Sequence, residues 1–149
     1  MENESKQIID KIKQYVDLTV TVFGKEQRRD YDFAVEKRDP MYGGEGVVYM
    51  VSLFEKGELV NNRIGVYMVL MNKGDQAGFH EHASRKEQEL YVIVHGEGKC
   101  IERIGETQEI RTLNLSKGAV TAIQGDDNYH SLINTGDEPL IVFVISTYL

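Results

Sequence analysis

Two histidines stand two positions apart in the stretch GFHEHASRKEQELYVIVHGEG. Side chains alternate between the two faces of a strand, so His80 and His82 lie on one face if this segment is extended. Glu89 opens the apolar segment LYVIV that follows, and His130 comes later in the strand-like segment NYHSLIN. Three imidazoles and one carboxylate suit a transition metal ion of borderline softness. These four residues are therefore a candidate metal site, in which a catalytic centre would keep positions open for water or substrate.

A structural role is the alternative explanation for the same residues. A single histidine in a strand is usually part of the packing, and a pair at this spacing is about as often structural as metal-binding. Spacing alone therefore leaves both interpretations open.

Residues around the histidines include types that can contact a substrate. Tyr91 shares a strand face with Glu89 and is the candidate catalytic residue, because its hydroxyl can hydrogen-bond a substrate or transfer a proton. A strand tyrosine more often packs its ring in the core. Methionines and aromatic residues of nearby segments are candidate substrate-binding residues, although such a set is usually core. They are Tyr67, Met68, Met71 and Phe79.

The elements that must position these residues are mostly strands. From Val47 to the end of the chain, short segments rich in β-branched and aromatic residues alternate with glycine-containing turns. The segments are VVYMVSLF, IGVYMVLM, LYVIV, KCIERI, QEIRTLNL, AVTAI, YHSLIN and LIVFVIS. No helical period separates them, which predicts an all-β sandwich or barrel. If the histidine segment and LYVIV form a hairpin, Glu89 lies across from the histidine pair.

The first part of the chain has a different character. Isoleucines at helical spacing predict a short amphipathic helix over residues 4–16, followed by a strand over 17–24. The charged, glycine-rich segment 25–45 predicts a loop. Two of the later segments, VVYMVSLF and IVFVIS, are apolar on both faces and must be covered. Either the N-terminal helix or a second subunit can cover them.

Composition limits the class of protein. The 149 residues suit one domain. The net charge is −7 and there is no dense basic run, which disfavours nucleic acid and membrane surfaces as partners. The chain has one cysteine, Cys100, and its charged N-terminus lacks the apolar region of a secretory signal. We therefore expect a cytoplasmic protein in which this thiol is buried.

Two segments resemble the sequence motifs of the cupin superfamily, and together they cover residues 74–134. In the first, a glycine stands six positions before the His-x-His pair, and Glu89 is followed by Gly96 after six intervening residues. In the second, Gly118 leads to a histidine that is followed by Asn134 after three intervening residues. Both motifs have longer gaps than the family's usual pattern: six residues separate the histidine pair from the glutamate, where three or four are usual. These changes fall in predicted loops.

The resemblance implies a double-stranded β-helix, or jelly-roll, barrel over residues 47–149 of a single domain at 1–149, with the helix and strand at 1–24 before it. It also implies a divalent transition metal (Zn, Mn, Fe, Ni or Co) on the family's set of three histidines and one glutamate: His80, His82, Glu89 and His130. Small cupins are commonly homodimers, so a homodimer is expected.

For function, the resemblance favours a metal-dependent enzyme that acts on a small polar metabolite, such as a sugar phosphate or a hydroxy or keto acid, with the metal as Lewis acid. Isomerisation, decarboxylation and dioxygenation all occur on such scaffolds, so the fold does not select the reaction. The alternative is a non-enzymatic module that binds or senses a small molecule. A barrel with vestigial histidines is a third, weaker interpretation.

Overall fold

The computed structural model describes residues 2–18, 20, 33–55, 65–82, 84, 86–105, 108–123 and 128–148. Within these residues the chain forms one helix, α1 (Glu2–Ile12), and ten strands. The strands are β1 (Ala34–Arg38), β2 (Val48–Ser52), β3 (Val66–Leu70), β4 (Gln76–His80), β5 (Glu87–His95), β6 (Glu97–Ile104), β7 (Gln108–Ser116), β8 (Val120–Ile123), β9 (Asn128–Asn134) and β10 (Leu140–Tyr148). No helix among the described residues is long and apolar enough to cross a membrane.

Two antiparallel sheets form the jelly-roll that the cupin resemblance implied. One sheet has six strands in the order β1-β2-β3-β10-β5-β8, and the other has four in the order β4-β9-β6-β7. Their inner faces enclose an apolar cluster that includes Met68, Ile93, Leu132 and Val142, each at most 1% exposed. The all-β fold with a short N-terminal helix is thus confirmed.

The helix packs on the outer face of the six-stranded sheet. Ile8, Ile9 and Ile12 are buried against a second apolar cluster, to which Val69 and Ile141 contribute from the sheet. Helical spacing puts these isoleucines on one face, and burying each one stabilises the fold by about 1.5–3 kcal/mol. The chain therefore covers its own apolar sheet face, which sequence alone left to either the helix or a second subunit.

A polar contact fastens the start of the helix to the same sheet. The Glu4 carboxylate accepts a hydrogen bond from the Tyr49 hydroxyl at 2.7 Å and an ion-paired one from Lys37 Nζ at 2.8 Å. The Lys37 hydrogen bond contributes most to lowering the pKa of Glu4 below its ordinary value. Because Lys37 belongs to β1, this contact ties the helix to the edge strand of the six-stranded sheet.

Some local predictions were wrong. Strand β1 lies within segment 25–45, which was predicted to be a loop. Its sequence AVEKR carries three charges and little β-branched character, and it becomes a strand through its pairing with β2. The helix spans Glu2–Ile12 instead of residues 4–16. Most of the strand predicted at 17–24 lies outside the described residues.

The hairpin suggested for the histidine segment and LYVIV does not form. β4 belongs to the four-stranded sheet and β5 to the six-stranded sheet, so the two strands do not pair with each other. The connection between them crosses from one sheet to the other. Strand patterns in a sequence do not distinguish such a connection from a hairpin turn.

Replacing Ile12 with alanine tests how much the helix contributes to stability. Ile12 is fully buried, so Ile12→Ala should lower the free energy of unfolding by about 2–5 kcal/mol through lost burial and the cavity left behind. Urea unfolding followed by circular dichroism measures the change. The exposed helix residue Gln7 supplies the control, since Gln7→Ala should change stability by less than about 0.5 kcal/mol. Equal stability of the two variants would show that the helix is not docked on the sheet.

Candidate metal centre

His80 and His130 are direct partners across the pairing of β4 with β9. Both face the barrel interior, where they are 7% and 1% exposed, and their ring centroids are 4.2 Å apart. A register irregularity between Ala77 and His80 precedes this pair. Strand pairing alone therefore brings together two imidazoles that are 50 positions apart in sequence.

His82 joins them from the connection that follows β4, not from the strand itself. Its ring centroid lies 4.9 Å from that of His80 and 5.0 Å from that of His130. The backbone N–H of Glu87 donates to the His82 carbonyl at 3.2 Å and so closes the connection onto the start of β5. The three imidazoles converge as the sequence predicted, although strand parity is not what places His82.

Two buried carboxylates flank the His82 ring. Glu87 Oε1 is 3.2 Å from Nδ1, and Glu89 Oε1 is 3.3 Å from Nε2. The Glu87 side chain is fully buried and that of Glu89 is 10% exposed. Both glutamates lie on β5 at alternate positions, so one face of the strand supplies both.

Glu89 was predicted from the sequence as a metal ligand, whereas Glu87 was not. The missed residue follows His82 after four intervening residues, which is the gap that the first cupin motif usually has. The glycine spacing at the end of the motif pointed to Glu89 instead. Strand parity puts both carboxylates on one face, and this was the available signal that both belong to the site.

The contacts of the other ring nitrogens orient two of the imidazoles. His80 Nδ1 lies 2.7 Å from the Gly78 carbonyl oxygen, which can only accept, so the proton is on Nδ1 and the lone pair on Nε2. Glu87 Oε1 lies 3.2 Å from Nδ1 of His82, where it can orient that ring in a similar way. A histidine oriented in this way through its second nitrogen is typical of metal ligands in proteins.

The three histidines lie close enough together to hold a single small cation. One nitrogen from each of His80, His82 and His130 lies within 4.8 Å of the others, and His82 forms a second such group with Glu87 and Glu89. Donors bound to one ion at about 2.0–2.2 Å lie roughly 3–4 Å apart, so small side-chain movements close the set. The buried histidine group can therefore hold a metal ion, and neutral imidazole with carboxylate suits several first-row metals.

A glycine-rich loop that contains Tyr42 covers His80. The Tyr42 ring stacks on the ring of His80, with centroids 3.9 Å apart. The loop is held to β4 by the Gly78 N–H, which donates to the Met41 carbonyl at 2.9 Å. A Cβ at Gly78 would lie 2.2 Å from the Tyr42 carbonyl oxygen, so only glycine permits this approach.

Tyr91 reaches the centre from β5. Its hydroxyl oxygen is 3.5 Å from His130 Nε2, and the residue is 2% exposed. The pKa of Tyr91 is raised well above its ordinary value. Burial is the largest cause, and the negative charge of Glu89 is the next largest. The hydroxyl is therefore protonated at neutral pH, which suits it to donate a hydrogen bond or a proton and not to act as a base.

A cavity of about 360 Å³ opens beside Glu89 and Tyr91. The apolar part of its wall is formed by Met41, Met50, Met68, Val66 and Val144. Its polar wall includes Ser52, Tyr42 and two residues of β1, Glu36 and Arg38. The volume lies at the lower end of the range typical of small-molecule sites, about 300–1,000 Å³.

The other predicted substrate contacts lie elsewhere. Tyr67 and Met71 pack in the cluster beneath the helix, on the outer face of the six-stranded sheet. Phe79 precedes His80 and so points away from the interior, with the Arg103 guanidinium 3.5 Å from its ring centroid. Their contact with a ligand stays a prediction. Met68, which the sequence placed in the same candidate set, does line the cavity.

The fourth histidine lies at the opposite end of β5. His95 stacks on Tyr15 with centroids 4.1 Å apart, and its Nε2 is 2.9 Å from a Glu138 carboxylate oxygen. It therefore takes part in packing at the far end of the barrel and not in the histidine group.

No family model matches the sequence, and comparison with curated proteins finds no match. Solved structures do match. A predicted oxalate decarboxylase from Thermotoga maritima is 27% identical with a TM-score of 0.67, over 81% of this chain and 97% of that one. The cupin domain of Drosophila melanogaster CENP-C is 13% identical with a TM-score of 0.65, over 98% and 96%. An oxalate decarboxylase from Lactobacillus farciminis, in a formate complex, is 20% identical with a TM-score of 0.56, over 86% and 37%.

These matches confirm the resemblance that the two motifs carried. The chain has the fold of a small cupin, and the match extends over nearly the whole of the Thermotoga and Drosophila chains.

The interior of the barrel also determines the reactivity of Cys100. The thiol is 7% exposed, and burial, followed by the charge of Glu102, raises its pKa to about 11. At pH 8 only about 0.1% of the thiol is then ionised, so iodoacetamide should alkylate the folded protein about 100-fold more slowly than the urea-unfolded chain. The rate should rise about tenfold per pH unit up to pH 11. Mass spectrometry of quenched samples measures it, and equal rates for folded and unfolded protein would contradict the burial.

Proposed function

We propose that the protein is a metal-dependent enzyme that acts on a small polar metabolite. The metal ion is divalent, from the first transition row, and its ligands are the following four residues: His80, His82, Glu89 and His130. The observation that carries this proposal is the convergence of three buried imidazoles beside a small cavity, with the Glu89 carboxylate 3.3 Å from Nε2 of one of them, His82. The match to a structure named as a predicted oxalate decarboxylase supports an enzyme.

A bound divalent ion supplies Lewis-acid chemistry: it polarises a carbonyl or chelates adjacent oxygens of a substrate. The chain's own residues do the rest. Glu87 holds His82 in the orientation and tautomer that present Nε2. The protonated Tyr91 hydroxyl, which lines the cavity, donates a hydrogen bond to the substrate.

Metal content of histidine variants tests the site. The purified protein, loaded in turn with Zn, Mn, Fe, Co and Ni and then desalted, should retain about one equivalent of at least one of them by mass spectrometry. His82→Ala and His130→Ala should each lower retention at least about tenfold, because each removes a buried nitrogen donor. His95→Ala, at the far end of the barrel, is the matched control and should retain the metal. Retention by the two site variants, or none in the parent protein, would overturn the proposal.

Turnover separates an enzyme from a binding module. The metal-loaded protein is assayed against a panel of sugar phosphates and hydroxy and keto acids. Activity that requires metal and is lost in Glu89→Gln supports the enzyme. Saturable binding of a panel member without turnover would favour the non-enzymatic module.

Glu87 should act as a positioning residue for His82. Glu87→Gln keeps a hydrogen-bond acceptor but loses the charge, and Glu87→Leu loses both, so metal affinity should fall modestly in the first and about 10–100-fold in the second. Competition with a chromogenic chelator measures the affinity, and the visible spectrum of the Co²⁺ form reports ligand geometry. A loss in Glu87→Gln as large as that in Glu89→Gln would instead make Glu87 a ligand. Glu97→Gln, an exposed change outside the site, is the control.

A further inference from the structure

Tyr42, in the loop between β1 and β2, contacts the histidine group from outside the strands that carry it. Its ring stacks on that of His80, with centroids 3.9 Å apart and planes inclined by 15°. The ring of His130 is at a similar distance from His80, 4.2 Å, but it is tilted by 57°. The near-parallel contact restricts the plane of the His80 imidazole, because rotation about its Cβ–Cγ bond would drive the ring edge into the tyrosine.

The His80 ring is held by two contacts of different kinds. The terminal torsion of a histidine has only a broad intrinsic preference, so its neighbours must set the orientation of the ring. The hydrogen bond from Nδ1 to the Gly78 carbonyl, at 2.7 Å, sets which nitrogen points to the backbone. The Tyr42 ring then sets the plane about that hydrogen bond. Together the two contacts direct Nε2, the nitrogen with the lone pair, towards the other donors.

The loop that carries Tyr42 is fixed to β4 by its backbone. The Gly78 N–H donates to the Met41 carbonyl at 2.9 Å, and the Gln76 N–H donates to the Glu45 carbonyl at 2.7 Å. These hydrogen bonds lie on either side of Tyr42 in the loop. The tyrosine ring is therefore held at a set distance from the strand that ends in the histidine.

The backbone of Tyr42 has a conformation that tyrosine disfavours. Its φ is 50°, in the left-handed region, where a side chain with a Cβ is strained and glycine is not. Glycines follow at 43 and 44. A turn alone would be better served by glycine at position 42 as well, and the residue is 39% exposed, so it contributes little to the core. The contact of its ring with His80 accounts for a tyrosine at this position.

Tyr42 also stands between the cavity and His80. The described residues that line the cavity include Tyr42, Glu89 and Tyr91 but not His80. A molecule in the cavity therefore meets the tyrosine ring, and the imidazole behind it keeps its orientation whether or not the cavity is filled.

From these contacts we infer that Tyr42 is a positioning residue of the metal centre, whose ring holds the His80 imidazole in the plane that presents Nε2 to the ion. This inference rests on the proposed function, because His80 is one of the proposed ligands. The flat ring performs this role, and the hydroxyl is not required for it.

Metal affinity of two Tyr42 variants tests the inference, measured by competition with a chromogenic chelator. Tyr42→Phe keeps the ring and should bind metal as the parent protein does. Tyr42→Asn keeps a residue that adopts the left-handed region readily but removes the ring, so affinity should fall about tenfold. The visible spectrum of the Co²⁺ form should change in the asparagine variant alone, because the spectrum reports ligand geometry.

The second tyrosine–histidine stack of the described chain supplies the matched control. Tyr15 stacks on His95 at the opposite end of β5, with centroids 4.1 Å apart. Tyr15→Asn removes the same kind of contact by the same change, and it should leave both the metal affinity and the Co²⁺ spectrum as in the parent protein.

A measurement on the metal-free protein reports the His80 ring directly. In long-range ¹H–¹⁵N NMR spectra at one fixed pH, His80 should show a single tautomer with the proton on Nδ1 in the parent protein and in Tyr42→Phe. In Tyr42→Asn the ring is free to turn, so the two nitrogen signals should move towards an average. Urea unfolding should give nearly the same free energy for all three proteins, because Tyr42 is largely exposed.

The inference is overturned if Tyr42→Asn has the metal affinity and Co²⁺ spectrum of the parent protein, or if Tyr42→Phe loses as much affinity as Tyr42→Asn. An equal loss in Tyr15→Asn, or a large loss of stability in Tyr42→Asn, also overturns it, since either would indicate a general effect on the fold. A parent protein that retains no metal overturns the proposed function. In that case the tautomer of His80 still shows whether Tyr42 positions this ring.

Discussion

The structure depends most on the placement of one imidazole between two carboxylates inside an apolar barrel. His82 is 3% exposed, and the glutamates on either side of it are nearly as buried. Removing ionised carboxylates from water costs several kcal/mol each, and hydrogen bonds and opposite charge must offset that cost. The same pairing sets which nitrogen of His82 faces the other donors. The same contacts therefore offset the cost of burying these groups and position His82 to help hold a cation.

The barrel meets this requirement by taking its donors from both sheets. His80 and His130 come from a strand pair of the four-stranded sheet, whereas both glutamates come from β5 of the six-stranded sheet. A cation at this position would therefore join the two sheets across the interior. The connection after β4 carries His82 from one sheet towards the other, which explains why its contacts are with glutamates and histidines alike.

Strand β1 links the helix to the cavity. Its outward residue Lys37 pairs with Glu4 of α1, and its inward residues Glu36 and Arg38 form part of the cavity wall. The helix covers the outer face of the sheet whose inner face lines the cavity. An edge strand with little apolar character is thus stabilised from outside by helix contacts, and its alternating charges serve both faces.

Much of the barrel and of the donor set followed from the sequence. Regular turns between β-branched segments indicated an all-β barrel, and two spaced motifs indicated the histidines that converge. The strand pattern is local, because turn chemistry and side-chain alternation are properties of neighbouring residues, whereas the convergence of the histidines was implied by the cupin resemblance. Met68, Tyr67 and Met71 were all predicted as candidate substrate-binding residues. Met68 lines the cavity, whereas Tyr67 and Met71 face the helix.

Only the tertiary structure determines how segments that are distant in the sequence are arranged next to one another. Sequence alone did not show that β4 and β5 lie in different sheets, because a change of sheet and a hairpin turn leave similar patterns. It did not decide between Glu87 and Glu89 as neighbours of His82, and it gave no reason to make a strand of a charged segment and direct Arg38 into a cavity. Each depends on which surface a side chain meets after the chain has folded, and pairing with β2 and burial in the barrel supply that information.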